Sequence, residues 1–218
     1  MSGYDPTMTT PATQERHRFA ELLAQIGPDA PTLCGDWSTR DLAAHIVIRD
    51  RRPDAMPGIL IPKLAGYTDK VQSNLAQNEE YEDLTRKVGE GPPIWSPMRI
   101  DAVDRLANTA EFFVHHEDVR RAQPDWSARE LEADLADDLY DVLKRSAKMM
   151  ARKAPAGIAL APTGRASIVA NKGEPMVEVS GPVGELVLWL HGRQAQSLVD
   201  YEGPEAAIDK LRTASFGI

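Results

Sequence analysis

The chain holds a single cysteine, Cys34, among its 218 residues, which excludes an internal disulfide and any CxxC pair serving redox chemistry or zinc. Any metal must therefore be held by nitrogen and oxygen. No apolar run approaches the length that crosses a bilayer, and the opening MSGYDPTMTT lacks the basic patch and apolar stretch of an export signal. A cytoplasmic protein without a membrane partner is expected. Positive charge is also in short supply: 25 basic against 33 acidic side chains leave a net charge of −8, with no Lys/Arg block to track phosphates, so nucleic acid is not an expected partner. There is no internal repeat and no low-complexity tract. The GPVG turn from Gly181 to Gly184 lacks both the lysine of a phosphate loop and a full dinucleotide fingerprint, and a strand-to-helix turn explains it.

What is present is 42% apolar residues, enough for a real core in one large domain or two small ones. Thr10 and Pro11 read as a cap and first helical residue, and Phe19, Leu22, Leu23 and Ile26 recur at helical spacing until Gly27 and Pro28. Ser38 and Asp41 form a capping-box pattern that opens a second helix through Leu42, His45, Ile46 and Arg49, closed by Pro53. Residues 53–66 read as a long loop rich in proline, glycine and apolar side chains, placed to cover a pocket. A polar helical stretch over 67–88 breaks near Asn78, and the irregular GEGPPIWSP carries Trp95 as a loop aromatic or a lid. A strong helix is expected from Ile100 to Ala122, and a capping box at Ser127 and Glu130 is expected to start another with Leu131, Leu135, Leu139, Val142 and Leu143.

Past Pro155 and Gly157 the period changes to that of strands in IALAPT, SIVAN and MVEVS. A helix through Leu186 to Leu190, a strand at SLVDY and a short helix at EAAIDKL complete a small α/β unit. The expected organisation is a helical domain over 1–153 and an α/β domain over 154–218.

Glu111 and His115 lie one helical turn apart, and at ~100° per residue Asp104, Asn108 and Asp118 fall on the same face. Phe112 and Val119 project beside this polar stripe, and Leu106 and Phe113 opposite it, so the stripe is expected to be partly enclosed. An enclosed Glu111 needs a cation to stay ionised, with His115 as a second donor to it. Among the other histidines, His17 sits in a charged run, His116 points away by roughly 100° and His191 is in the terminal unit; His45, between Leu42 and Ile48, fits best as a third ligand. Two imidazoles and a carboxylate suit catalytic zinc first, and also iron, nickel, cobalt or manganese. The structural alternatives are a surface Glu/His pair and a satisfied core histidine. Arg49 and Arg52, following His45, are candidates to bind an anionic substrate or thiol, with a surface pair as their alternative. Asn108 and Asp118 are candidates to tune Glu111 or position a proton, whereas Asp41 is assigned to its cap and Cys34 to a small buried apolar role.

At LCGDWSTRDLAAHIVIRDRRP, Leu33 to Pro53, and AEFFVHHEDVRRAQPDW, Ala110 to Trp126, the chain resembles the DinB-like superfamily, specifically its mycothiol-dependent maleylpyruvate isomerase group. The resemblance implies a mainly α protein, an up-down helix bundle of DinB type followed by a small C-terminal α/β domain. By motif position it makes His45, Glu111 and His115 the ligands of a divalent metal. It further implies mycothiol or a related thiol as cosubstrate, a small electrophile as its partner, and S-transfer or cis/trans isomerisation as the reaction. The ion's net positive charge would favour thiolate over thiol. A monomer or homodimer is expected. The competing readings are a metal-containing protein that binds a small ligand without turnover, and a stress-related interaction module.

Overall fold

The computed structural model describes residues 10–94, 96 and 108–214. Helix α1 (Pro11–Ile26) starts as its sequence dictates: Thr10 Oγ1 accepts the Thr13 N–H at 3.2 Å and Pro11 fills the first position. Gly27, at φ 88°, ends the helix in a conformation that a Cβ would disfavour. Helix α2 (Thr39–Arg51) opens on the expected capping box, with the Ser38 N–H donating to Asp41 Oδ2 at 3.0 Å and the Asp41 N–H to Ser38 Oγ at 3.4 Å.

The segment after Pro53 is more ordered than a loop. It contains a short helix α3 (Pro57–Leu60) and a 3-10 turn over Pro62–Leu64, because Pro57 and Pro62 each stand at a first helical position that tolerates a missing N–H. Helix α4 (Ala65–Asn78) ends at the expected break and α5 (Tyr81–Glu90) follows. Gly58 of α3 lies against α4 and the turn before it: a Cβ there would overlap Thr68 Oγ1, which donates to the Ala55 carbonyl, and lie 2.5 Å from the Leu64 carbonyl oxygen. Gly58→Ala is therefore expected to destabilise the protein by about 1–3 kcal/mol, the usual cost of overpacking. Urea unfolding checks this, and an unchanged midpoint would contradict the contact.

Helix α6 (Thr109–Arg120) is the described part of the helix expected from Ile100 to Ala122. Asp104 and Leu106, like Trp95, fall outside the described residues. Phe19 and Leu23 of α1, Leu42 and Ile46 of α2, Tyr81, Leu84 and Val88 of α5, and Phe112 and Val119 of α6 form one buried cluster. Burial of these faces, at roughly 25 cal/mol per Å² of apolar surface, supplies most of the drive for a four-helix core. Helix α1 lies against α5 and α6, and α2 against α4 and α5.

The chain forms two compact units that meet in sequence between Ser127 and Ala128. This lies one helix before the change of period at 153. Helix α7 (Ala133–Met150) packs its Leu135, Leu139, Val142 and Leu143 stripe within the second unit, against strand β2 (Ile168–Asn171) and helix α8 (Val183–Leu190). The capping box expected at Ser127 and Glu130 does not form. Glu132 is the extended residue before α7, Leu131 lies outside the helix, and Asp134 Oδ1 takes the Leu135 N–H at 2.8 Å in the first turn.

The second unit's sheet has the order β2-β1-β3-β4, with β1 (Gly157–Pro162), β3 (Met176–Gly181) and β4 (Asp200–Glu202). The β1/β3 pairing is parallel and the two outer pairings are antiparallel. Ile158 opposes Val177 and Leu160 opposes Val179, and all four are fully buried, so alternation along both central strands builds one apolar face. Helix α8 covers it with every residue buried, and α9 (Glu205–Thr213) adds Ala207, Ile208 and Leu211. The fold is thus mainly helical with a small C-terminal sheet, as expected. No described helix is long and apolar enough to cross a membrane.

Candidate metal centre

Helix α2 carries His45 one turn past its capping-box aspartate, between the core residues Leu42 and Ile46, where only 8% of it is exposed. The Trp37 ring, in the loop before the cap, stands 5.2 Å from the imidazole centroid to centroid. A ring so confined loses little further freedom when it binds a ligand.

Helix α6 brings Glu111 and His115 to the same place. Glu111 Oε1 lies 3.5 Å from His45 Nε2 and 3.4 Å from His115 Nε2, and the two imidazole rings meet edge to face with centroids 5.5 Å apart. One donor atom from each residue lies within 4.8 Å of the other two. Donors bound tetrahedrally at zinc's usual ~2.05 Å stand about 3.3 Å apart, so the carboxylate-to-imidazole separations match the edges of such a polyhedron. These three residues fit a divalent ion with a coordination position to spare, and they are the three that the sequence singled out, Glu111 and His115 by their spacing and His45 by elimination and by the resemblance.

The described part of the polar stripe is partly enclosed: Asn108 and Asp118 are buried beside the buried Phe112 and Val119, while Glu111 keeps a quarter of its side chain exposed and His115 about half as much. Burial pushes the Glu111 carboxyl up, but hydrogen bonds from His115 and His45 and the Arg49 charge outweigh it and hold the group well below the ordinary range. Burial pushes His115 down, and hydrogen bonding to Asp118, Cys34 and Glu111 outweighs that to hold it well above the ordinary imidazole range.

Behind the triad, His115 Nδ1 lies 2.9 Å from Asp118 Oδ2, and Cys34 Sγ donates to the same oxygen at 3.0 Å and stands 3.7 Å from Nδ1. Cys34, assigned from sequence to a bland apolar role, thus borders the centre. The signal available was its place in the loop before Trp37; what spacing cannot show is that the Leu33 N–H donates to the Asp118 carbonyl at 3.1 Å, tying that loop to α6.

The remaining candidates separate. Arg49 is brought in, with Nε 3.4 Å from Glu111 Oε1 and the side chain 9% exposed. Arg52 is not: α2 ends at Arg51, the backbone of Arg52 turns to φ −124° and ψ 75°, and its guanidinium forms a two-pronged pair with Asp54 at 2.9 and 2.7 Å on the surface. Asn108 is fully buried at the start of α6, three residues before Glu111. Asp41 serves the cap, and His116 faces α1, where Nδ1 lies 2.8 Å from Glu15 Oε1.

A buried helical core with two imidazoles and a carboxylate converging from two helices defines a class, the helix bundles built around a histidine–carboxylate centre. Residues 10–93 match the family model described as the mycothiol maleylpyruvate isomerase N-terminal domain, which bears out the resemblance read from the sequence. The match spans α1 to α5, so it includes His45 and Arg49 and stops short of Glu111 and His115. A crystal structure of the mycothiol-dependent maleylpyruvate isomerase is similar to this chain at a TM-score of 0.51 and 15% identity, over 91% of this chain and 98% of that one. That likeness shows a shared fold through both units. No curated protein matches the chain.

Proposed function

We propose that the protein is a metal-dependent enzyme that activates a low-molecular-weight thiol of the mycothiol type for attack on a small electrophile. The reading rests on one observation, the convergence of His45, Glu111 and His115 on a common point. The family match over 10–93 and the shared fold supply the thiol. The same residues make zinc the first expectation for the ion.

A divalent ion bound there would supply Lewis acidity, lowering the pKa of a thiol so that thiolate is present near neutral pH. The chain's own residues do the rest. Arg49 sets a fixed guanidinium beside Glu111, in position to hold a carboxylate of the substrate or thiol by charge-assisted hydrogen bonds. Trp37 walls the His45 side of the site and limits water there. Asn108, buried where α6 begins, is assigned to orienting the Glu111 turn. For isomerisation the thiolate sulfur adds to one carbon of a double bond, the resulting single bond rotates, and the sulfur leaves with its electron pair. In S-transfer, a carbon–sulfur bond forms as the leaving group departs with the pair it shared with carbon. Neither course needs an oxidant or reductant.

The test is to incubate metal-loaded protein with mycothiol and a panel of electrophiles including maleylpyruvate, and to follow adduct and isomer by chromatography. Metal-dependent product is expected, and its absence with every thiol and electrophile would reject the enzymatic reading.

Protons give a second check. In the metal-free protein His115 is held protonated above the ordinary imidazole range, so an ion and a proton compete for it. Metal affinity should therefore rise with pH through neutrality, and uptake should release protons, measured as a dependence of the calorimetric heat on the buffer's ionisation enthalpy. Uptake without proton release would contradict His115 as a ligand.

A further inference from the structure

We infer that Asp118 and Cys34 form a positioning pair that fixes which nitrogen His115 presents to the centre; this rests on the metal reading above and extends it. His115 touches polar partners at both ring nitrogens. Nε2 faces Glu111 at 3.4 Å, and Nδ1 faces Asp118 Oδ2 at 2.9 Å. Asp118 is fully buried, so water does not compete for this contact. A neutral imidazole has one N–H and one lone pair, and a carboxylate at hydrogen-bond distance accepts the N–H. Once the second proton has given way to a metal, the remaining one therefore resides on Nδ1, and the lone pair of Nε2 points at the position shared with His45 and Glu111.

Cys34 steadies the carboxylate. Its S–H donates to the oxygen that His115 uses, and the loop around it is closed on itself: the Cys34 N–H donates to Thr32 Oγ1 at 3.1 Å, Thr32 Oγ1 to the Trp37 carbonyl at 2.8 Å, and the Trp37 N–H to the Cys34 carbonyl at 3.3 Å. One short loop thus sets both the sulfur behind His115 and the Trp37 ring on His45.

Cys34, His115 and Asp118 also have the composition of a second ligand set, with donor atoms within 4.8 Å of one another. Distance decides between the two roles. The Nδ1-to-Oδ2 and Sγ-to-Oδ2 separations of 2.9 and 3.0 Å are those of hydrogen bonds, and fall below the about 3.3 Å between donors sharing an ion. The front triad, at 3.4 and 3.5 Å, has the wider spacing.

The experiment titrates Co2+ into the metal-free full chain against a competing chelator, for wild type, Asp118→Asn, Cys34→Ser and Cys34→Ala, with far-UV circular dichroism of each. Loss of such an outer partner costs about 10–100-fold in metal affinity. Asp118→Asn should show that loss, Cys34→Ala a smaller one, and Cys34→Ser should recover most of it because the hydroxyl still donates. The wild-type Co2+ spectrum should lack a sulfur-to-cobalt charge-transfer band. Long-range 1H–15N spectra of the zinc-loaded wild type, which need no variant to fold, should show His115 protonated at Nδ1 and ligated through Nε2. Undiminished affinity in folded Asp118→Asn, ligation through Nδ1, or a thiolate band abolished by Cys34→Ser would each overturn the inference while leaving the metal centre standing. A wild-type chain that binds no Co2+ would overturn the centre and this inference together.

Discussion

His115→Ala should empty the centre of metal, and His116→Ala, one residue along, should leave the centre filled while lowering stability. His115 presents Nε2 to Glu111 and His45, and its loss removes a donor outright, so the fall in affinity should exceed the ~10–100-fold cost of losing an outer partner. Its hydrogen bonds to Asp118 and Glu111 outweigh the burial cost of its charge, so its loss also costs some stability, and metal content is compared at a denaturant-free condition where circular dichroism shows each variant folded. His116 has no part in the triad. It is 6% exposed and pairs with Glu15, which is fully buried, linking α6 to α1. Removing one side of a buried hydrogen bond costs about 1–3 kcal/mol. Metal quantification of untagged protein together with urea unfolding reads both effects. Equal metal content in the two variants would count against the assignment, and His45→Ala should follow His115→Ala.

Arg16→Met should be the most destabilising change in the helical unit, at about 3–5 kcal/mol out of the 5–15 kcal/mol by which domains are ordinarily stable. Arg16 is 5% exposed and its partner Asp50 2%. The guanidinium pairs with the Asp50 carboxylate, donates to the Val88 carbonyl at 3.1 Å and stacks 4.0 Å over the Phe112 ring, so one side chain joins α1, α2, α5 and α6. Methionine preserves the packing on Phe112 and removes the charge, which among the described residues leaves the buried carboxylate with only the more distant Arg49 guanidinium, at 3.8 Å, beside it. If that is the origin of the cost, adding Asp50→Leu should recover most of it, since a buried ion pair replaced by apolar residues of similar volume is often neutral. Chemical denaturation of the four chains of this cycle measures the coupling. A single substitution costing under ~0.5 kcal/mol would show that the pair is not sequestered as the geometry indicates.

The parts of the site legible in the sequence are those set by helical periodicity. Glu111 and His115 share a face because they are four residues apart, and the Ser38–Asp41 cap fixes where α2 begins and hence where His45 lies along it. The mainly helical architecture with a terminal sheet was likewise written in the switch from a 3.6 to a 2 period. What was not legible depends on chain reversals. Arg52 read as the next turn of α2, but the helix stops one residue earlier and the side chain swings to Asp54. Cys34 read as an inert small residue, because nothing in its own neighbourhood announces that Asp118, 84 positions later, is its partner. The boundary read at 153 followed the change of period, whereas α7 is a helix that buries its stripe with the strands after it. A local pattern reports a helix's apolar face and is silent about which neighbour covers it.

The strand order has a consequence for solubility. The six-residue strands β1 and β3 sit in the middle, and the outermost positions fall to β2 and β4, of four and three residues. Unpaired backbone at the rim of a sheet is a template for another chain to zip onto, and brevity is one way proteins blunt it. Here Ile158 of β1 and Val179 of β3 have strand neighbours on both flanks, so an incoming strand meets only stubs too short to extend.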